Sequence, residues 1–327
     1  LSQKLSLIPF YIESFVEPLA EIPQGVTMSQ APEIWDRSEK GKGVVVAVID
    51  TGCDSRHPDL KDRIIGGRNF TDDDQSDANN FTDYSGHGTH VAGTIAASLN
   101  GQGVAGVAPE ADLLILKVLR KDPVTGNFSG TYEWVIQAID YAIEQKVQII
   151  SMSLGGPYNH PGLHAAVKRA ISKNILVVCA AGNEGDGRHD TTEFSYPAGY
   201  NEVISVGAID FEKRSAYFTN SNNEIDLVAP GMNVLSTYIG GRYAQMSGTS
   251  MSAPHVSGAL ALLINLGKKE FERELTEPEL YAQLIKRTIP LGYPKTLEGN
   301  GRLALALPEK VAEVFGPLNM TNTRYTP

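Results

Sequence analysis

Val44-Val45-Val46-Ala47-Val48-Ile49-Asp50-Thr51-Gly52 is the stretch that decides the fold. Its six apolar residues form an unbroken, mostly β-branched run of strand length, as expected of a strand covered on both faces. Similar runs follow at 113–118, 147–151, 175–179 and 203–206. Between them, apolar residues recur at helical spacing over 88–97, 132–144 and 163–172. Strand and helix alternate, so the chain reads as α/β, with a central, mostly parallel sheet covered by helices in three layers. Ligands of such folds bind at the carboxyl ends of the strands. Asp50 stands at one such end, and Asn183 follows another, after the run 176–181.

The flanks differ from this centre. Residues 1–27 contain Pro9, Pro18 and Pro23 without a clear period, and read as an arm outside the core. Beyond Phe271 the chain turns charged, with Leu280, Leu284 and Ile285 spaced as on a surface helix, and it ends in a polar tail over 319–327. No internal repeat occurs. Hydrophobic residues make up 42 % and charged residues 20 %, enough for a large core. A net charge of -10 speaks against nucleic acid as a partner. No apolar run approaches the roughly 18 residues of a membrane span, so no membrane partner is expected. The opening segment lacks the pattern of a signal peptide, because Pro9 interrupts its apolar part and Glu13 and Glu17 follow. A cytoplasmic location is the expectation. Cys53 and Cys179 lie beside apolar strands and read as buried thiols rather than a disulfide scaffold.

Ser247-Gly248-Thr249-Ser250-Met251-Ser252-Ala253-Pro254-His255 precedes a long apolar stretch. Ser250 is thereby set at the start of a buried helix, where backbone N–H groups and the helix dipole favour developing negative charge. A serine hydroxyl needs a base to take its proton, and the base needs an orienting carboxylate. His87, in Ser85-Gly86-His87-Gly88-Thr89-His90, suits the base, and Asp50 suits the orienter. Asn183, in Ala180-Ala181-Gly182-Asn183-Glu184-Gly185, can donate to an oxyanion. Singly, each has a plain alternative: a turn aspartate, a packed histidine, a serine N-cap, a turn asparagine. Three rival functions are open on these motifs. Asp50-Thr51-Gly52 also suits an aspartic protease, but no second such motif supplies the carboxylate pair. His87 and His90 are spaced like zinc ligands, without HExxH or an evident third ligand. A non-enzymatic binder on the same fold would normally lack one triad member.

Taken together, Asp50-Thr51-Gly52, His87-Gly88-Thr89-His90, Ser153-Leu154-Gly155-Gly156, 180–183 and the segment around Ser250 resemble the subtilisin family of serine proteases over roughly 28–290. The resemblance implies a subtilisin-like fold and a serine endopeptidase acting on polypeptides through an acyl-enzyme. It casts Asp50 as orienter, His87 as base, Ser250 as nucleophile, and Asn183 with the Ser250 N–H as oxyanion donors. It makes Ser153, Leu154, Gly155 and Gly156 one substrate-pairing edge, and Ser129-Gly130-Thr131 the opposite one. Gly155 and Ala180, with Ser195 near the floor, imply a P1 pocket for apolar or aromatic residues, and Glu184 at its rim would admit a basic one. Tyr132, Val135, Leu119 and Leu154 imply a P4 pocket, with core packing as the alternative for Val135 and Leu119.

The same resemblance implies calcium at the loop Asn100-Gly101-Gln102-Gly103-Val104, through Asn100, Gln102, Val104 and the carboxylate of Asp59. A second, weaker cation site would use Ala198, Tyr200 and Val203 carbonyls with Asp226. The acidic run at 72–77 lacks the glycine of an EF-hand loop and reads as a solvated charge run. Leu7-Ile8-Pro9-Phe10 resembles the Leu-Ile-Pro-Tyr-like inhibitory segment of the intracellular branch, with Phe10 in place of tyrosine. Residues 1–19 are therefore expected to be an inhibitory extension lying in the cleft as a pseudo-substrate, cut at Leu19–Ala20. Residues 20–300 would be the catalytic domain and 301–327 a C-terminal extension supporting a homodimer.

Overall fold

In chain order, this computed structural model begins with the arm strands β1 (Lys4–Leu7) and β2 (Tyr11–Phe15). A short helix α1 (Gln24–Met28) leads to β3 (Val45–Asp50) and β4 (Ile64–Asn69). Then come α2 (His87–Ala96), β5 (Asp112–Lys117), β6 (Arg120–Lys121), β7 (Phe128–Thr131) and α3 (Tyr132–Glu144). The middle of the chain forms β8 (Ile149–Met152), β9 (Leu154–Gly155), α4 (Pro161–Ser172), β10 (Leu176–Ala180) and β11 (Ile204–Ile209). It continues through β12 (Ile225–Pro230), β13 (Val234–Tyr238), β14 (Arg242–Ser247) and the long helix α5 (Thr249–Phe271). The last elements are α6 (Glu277–Ile285), β15 (Thr288–Ile289), α7 (Lys295–Glu298), β16 (Arg302–Leu303) and α8 (Leu307–Phe315). The structure describes residues 4–123 and 125–315.

Nine strands form the main sheet, in the order β15-β16-β12-β11-β10-β8-β3-β5-β4. All its pairings are parallel except β15 with β16. The alternation of side chains along each strand explains the unbroken apolar runs. Val46 and Val48 join a core with Val91, Ile95, Val256 and Leu260 of α2 and α5. Ala47 and Ile49 join a second core with Val135, Ile139, Ala166 and Val167 of α3 and α4. Both faces are dry, so no polar alternation is needed. The two cysteines are free and buried, and burial raises both thiols. From β3 the chain goes to the edge strand β4 and returns to β5 on one side, then crosses over and winds outward through β8, β10, β11 and β12 on the other. This reversal between β3 and β8 opens a crevice at their carboxyl ends.

Helix α5 is apolar around most of its circumference because it runs buried beneath the sheet. Leu280 and Leu284 of α6 are buried, matching the expected surface helix, and a Thr276–Glu279 capping box starts it.

Two expectations about the flanks are corrected. The first 27 residues are not outside the core: β1 inserts antiparallel between β7 and β9, β2 pairs antiparallel with β14, and Leu5 and Ile8 are buried in the core clusters. Their apolar residues take partners from distant edges, so no local period betrays them. The boundary expected after residue 300 falls inside the main sheet, where β16 pairs with β12 and Leu303 and Leu305 are buried. Residues 316–327 of the expected C-terminal extension lie outside the described residues.

Candidate active site

Asp50 ends β3 at the crevice, 1 % exposed. Its Oδ1 accepts from the Thr51 N–H at 2.7 Å and from His87 Nδ1 at 2.8 Å. His87 opens α2 and is fully buried. Its placement needs Gly86 in the left-handed region at φ 89, against the Tyr238 ring; an added Cβ would lie 2.1 Å from it. His87 Nε2, the nitrogen facing away from Asp50, makes no hydrogen bond, and the Phe10 ring lies 4.8 Å from the imidazole.

Ser250 sits in the first turn of α5, and its hydroxyl donates to the Ser153 carbonyl at 3.3 Å rather than to His87. Pro254 explains part of this geometry. Lacking an N–H, it leaves the carbonyl four residues back, that of Ser250, without its helical donor. The Ser153 hydroxyl fills that role at 3.0 Å. Asn183 faces the cleft in one orientation because its Oδ1 accepts from both Thr249 N (2.9 Å) and Thr249 Oγ1 (2.8 Å). Its NH₂ is thereby turned outward, and Nδ2 donates to the Pro9 carbonyl at 2.5 Å.

The two expected edges both pair with the arm. Ser6 lies opposite Ser129, Leu5 opposite Gly130, Leu7 opposite Leu154, and Ser6 opposite Gly155. Gly155 backs onto Ser195, whose Oγ lies 2.2 Å from where a Cβ would stand. Ala180 ends β10 and is buried, and Gly156 bridges to Tyr196. Leu5 Cδ2 lies against Gly156, in the same cluster as Leu119, Tyr132, Val135 and Leu154. Tyr132 donates to the Tyr158 carbonyl and stacks on His160 at 4.5 Å. Glu184 accepts from Asn220 Nδ2 at 2.8 Å. Leu7, Ile8, Pro9 and Phe10 thus run through the cleft, beside a cavity of about 520 Å³. Leu19 and Ala20 are exposed.

Asp59 is buried, and its oxygens accept from Asn100 Nδ2, Val104 N and the Tyr243 hydroxyl. Asn100 Oδ1 takes the Gln102 N–H. Asp226 accepts from Ser205 N and the Tyr281 hydroxyl, and burial pushes its carboxyl up to about 6. Tyr200 takes the Val203 N–H on its carbonyl, and Ala198 is buried nearby in the same core. Among the described residues no three His, Cys, Asp or Glu side chains converge as a metal cluster. The His87–His90 pairing is separated by direction: His90 Nε2 is held by the Val234 and Ala244 carbonyls, at 2.9 and 3.1 Å.

Several residues of the site carry no motif. Asp83 is buried and accepts five hydrogen bonds, from Thr51 Oγ1, Ser85 N, Gly86 N, Thr89 N and Thr89 Oγ1. It ties the Asp50 turn to the His87 turn. An aspartate four residues before a helix-opening histidine was the available signal. Lys117 is buried at the end of β5, donating to the Thr82 carbonyl at 3.1 Å beneath the Tyr84 ring. Its partners Asp73 and Asp74 belong to the acidic run, so part of that run is paired rather than solvated. Glu21 accepts the N–H groups of Asn100 and Gly101 and braces the 100–104 loop.

Comparison with known proteins gives a consistent picture. The subtilase family matches residues 41–306. The chain is 61 % identical to "Intracellular serine protease" of Paenibacillus polymyxa, over 96 % of this chain and 95 % of that one. It is 55 % identical to "Major intracellular serine protease" of Bacillus subtilis (strain 168), over 96 % and 97 %. Subtilisin E of the same strain is 45 % identical over 75 % of this chain and 61 % of its own length.

Proposed function

The chain belongs to the subtilase family and is a subtilisin-like serine endopeptidase, and from that premise we propose that it hydrolyses polypeptides through Asp50, His87 and Ser250 and is held latent by its own N-terminal segment. In the open enzyme the Ser250 hydroxyl swings from Ser153 to His87 Nε2 and attacks the scissile carbonyl as its proton passes to the imidazole. Asp50 keeps Nδ1 protonated and steadies the imidazolium. The carbonyl oxygen, now an oxyanion, is held by Asn183 Nδ2 and the Ser250 N–H. His87 returns the proton to the leaving amine, and water repeats the sequence on the acyl-enzyme. The observation that carries this reading is the 2.8 Å Asp50–His87 bond beside an asparagine amide turned towards a carbonyl in the cleft. Ser250→Ala should abolish peptide hydrolysis, a loss of about 10⁶ in kcat; normal turnover by that variant would end the assignment.

The register of the arm supports latency. If Leu5 fills the P4 pocket, Ile8 is P1 by count. The carbonyl at Asn183, however, belongs to Pro9, one residue further on. Side chains and carbonyl are thus offset by one residue, and the Ile8–Pro9 bond is not offered to Ser250 as a substrate bond would be. Phe10 meanwhile covers His87, and Ser250 donates elsewhere. Cleavage at exposed Leu19–Ala20 would free the cleft. The open P1 pocket, with Gly155, Ala180 and Ser195 around it, then takes apolar or aromatic residues, with broad specificity elsewhere because main-chain pairing reads little sequence.

Calcium belongs to the same reading. Asp59 and Asn100 side-chain oxygens and the Gln102 and Val104 carbonyls form a hard oxygen set of the right class. Such an ion would stiffen the loop that Asp59 now closes. The second set, Ala198, Tyr200, Val203 and Asp226, fits a weaker cation. A cytoplasmic location and a homodimer supported by the C-terminal segment complete the proposal; light scattering of the eluted protein tests the dimer.

A further inference from the structure

We propose that the outer edge of β14 is a binding track for the primed side of extended polypeptide substrates, with a slot for an aromatic side chain five or six residues beyond the cut. The inference rests on the arm being a pseudo-substrate, and extends it past the scissile position. β14 has β13 on one side and only β2 on the other. Its last residue, Ser247, stands three positions before Ser250, so a chain leaving the oxyanion site runs directly onto this edge. Counting from the Pro9 carbonyl at Asn183, Tyr11 is the second residue beyond and lies opposite Ser247. Phe15 is the sixth and lies opposite Ala244. A bulge between Gln245 and Met246 adds one residue to β2, so a chain without it would place its fifth residue there.

The backbone pairing itself reads no sequence; the slot does. Phe15 packs edge-on against Tyr238 at 5.1 Å, under the Arg242 guanidinium at 4.8 Å. The Tyr238 wall is fixed in advance, since its hydroxyl donates to the Ser85 carbonyl at 2.9 Å and Gly86 packs on its ring. Phe15 is 52 % exposed, so the slot is open-sided and has room for any aromatic ring. Once the arm departs, β14 presents unpaired N–H and C=O groups at the exit of the cleft, a template for the next strand to arrive. The strand that arrives there is substrate.

The test compares peptides sharing one P4–P1 sequence, on the full chain before and after loss of its arm. One peptide stops at the second primed residue. Two run to the seventh, with Phe or Ala at the fifth and sixth. The processed enzyme should cut the Phe peptide with a kcat/KM roughly five- to tenfold above the Ala peptide, mainly through KM. Arg242→Ala should lower that ratio at least twofold, leaving the part due to the Tyr238 ring. Equal kcat/KM for the two long peptides overturns the track. The short peptide reads latency separately: if intact and processed chains cut it alike, the arm is no inhibitor, and the Phe-to-Ala ratio still decides the track.

Discussion

Asn183 spends both ends of its amide, Oδ1 on Thr249 and Nδ2 on the cleft, so its function is a matter of one residue's orientation. Asn183→Ala should lower kcat by 10²–10³, the ~2.7–4 kcal/mol already known for an oxyanion asparagine of this family, with KM little changed; a kcat within threefold of the parent would remove Asn183 from the reaction. Asp83 makes a different prediction. Its five donors lose their acceptor in Asp83→Ala, leaving buried N–H groups unpaired, so stability should fall by about 3 kcal/mol or more in urea unfolding. A change below ~0.5 kcal/mol would show that Asp83 does not tie the two turns. The four residues proposed to act in the reaction were legible because each lies in a glycine-marked turn at the end of a strand or start of a helix. Asp83, Glu21 and Lys117 were not, because the segments they join meet only in the fold: Asp83 reaches Thr51 across 32 residues, Glu21 the 100–104 loop, and Lys117 the Asp73 and Asp74 carboxylates.

In the proposed function, the arm is the element on which regulation turns. Pro9 cannot donate an N–H and fixes φ, which suits it to the offset between β1 and β2. Pro9→Ala should let the arm settle into substrate register, so that the chain cuts itself after Ile8 and gains a new N terminus at position 9, read by N-terminal sequencing. Persistence of an intact arm with unchanged latency would contradict the register account. Deleting residues 1–19 should raise the initial rate on a short peptide at least tenfold; an unchanged rate would refute inhibition. The central strands β3, β5, β8, β10 and β11 were legible because burial on both faces writes unbroken apolar runs; β12, β15, β16 and the half-buried edge strand β4, with Gly66, Gly67 and Arg68, were not. β1 and β2 were missed as well, since strands of four and five residues with a proline between them look like a tail until their edges are seen.

For the whole molecule, stability is coupled to pH through two buried imidazoles. Burial lowers His90 to about 3 and His255 to about 4. Both are below the unfolded value near 6.5, so the unfolded chain binds more protons as pH falls. Their contribution is complete above pH 6.5 and is lost on acidification towards the folded values. Between pH 6 and 5 the unfolding free energy should drop by about 2–3 kcal/mol, at ~1.4 kcal/mol per histidine per unit; a flat profile there would deny that both stay neutral. Chelation offers a second whole-molecule test: EGTA should lower the melting temperature if the Asp59 loop holds calcium, and an unchanged melting temperature would leave the loop closed on itself. The most direct measurement is the rate and position of sulfonylation by phenylmethanesulfonyl fluoride, followed by mass spectrometry on intact and arm-free chains. A single adduct on Ser250, forming at least tenfold faster without the arm, is the predicted result. Modification elsewhere, or equal rates in the two forms, would contradict a latent Asp50–His87–Ser250 triad.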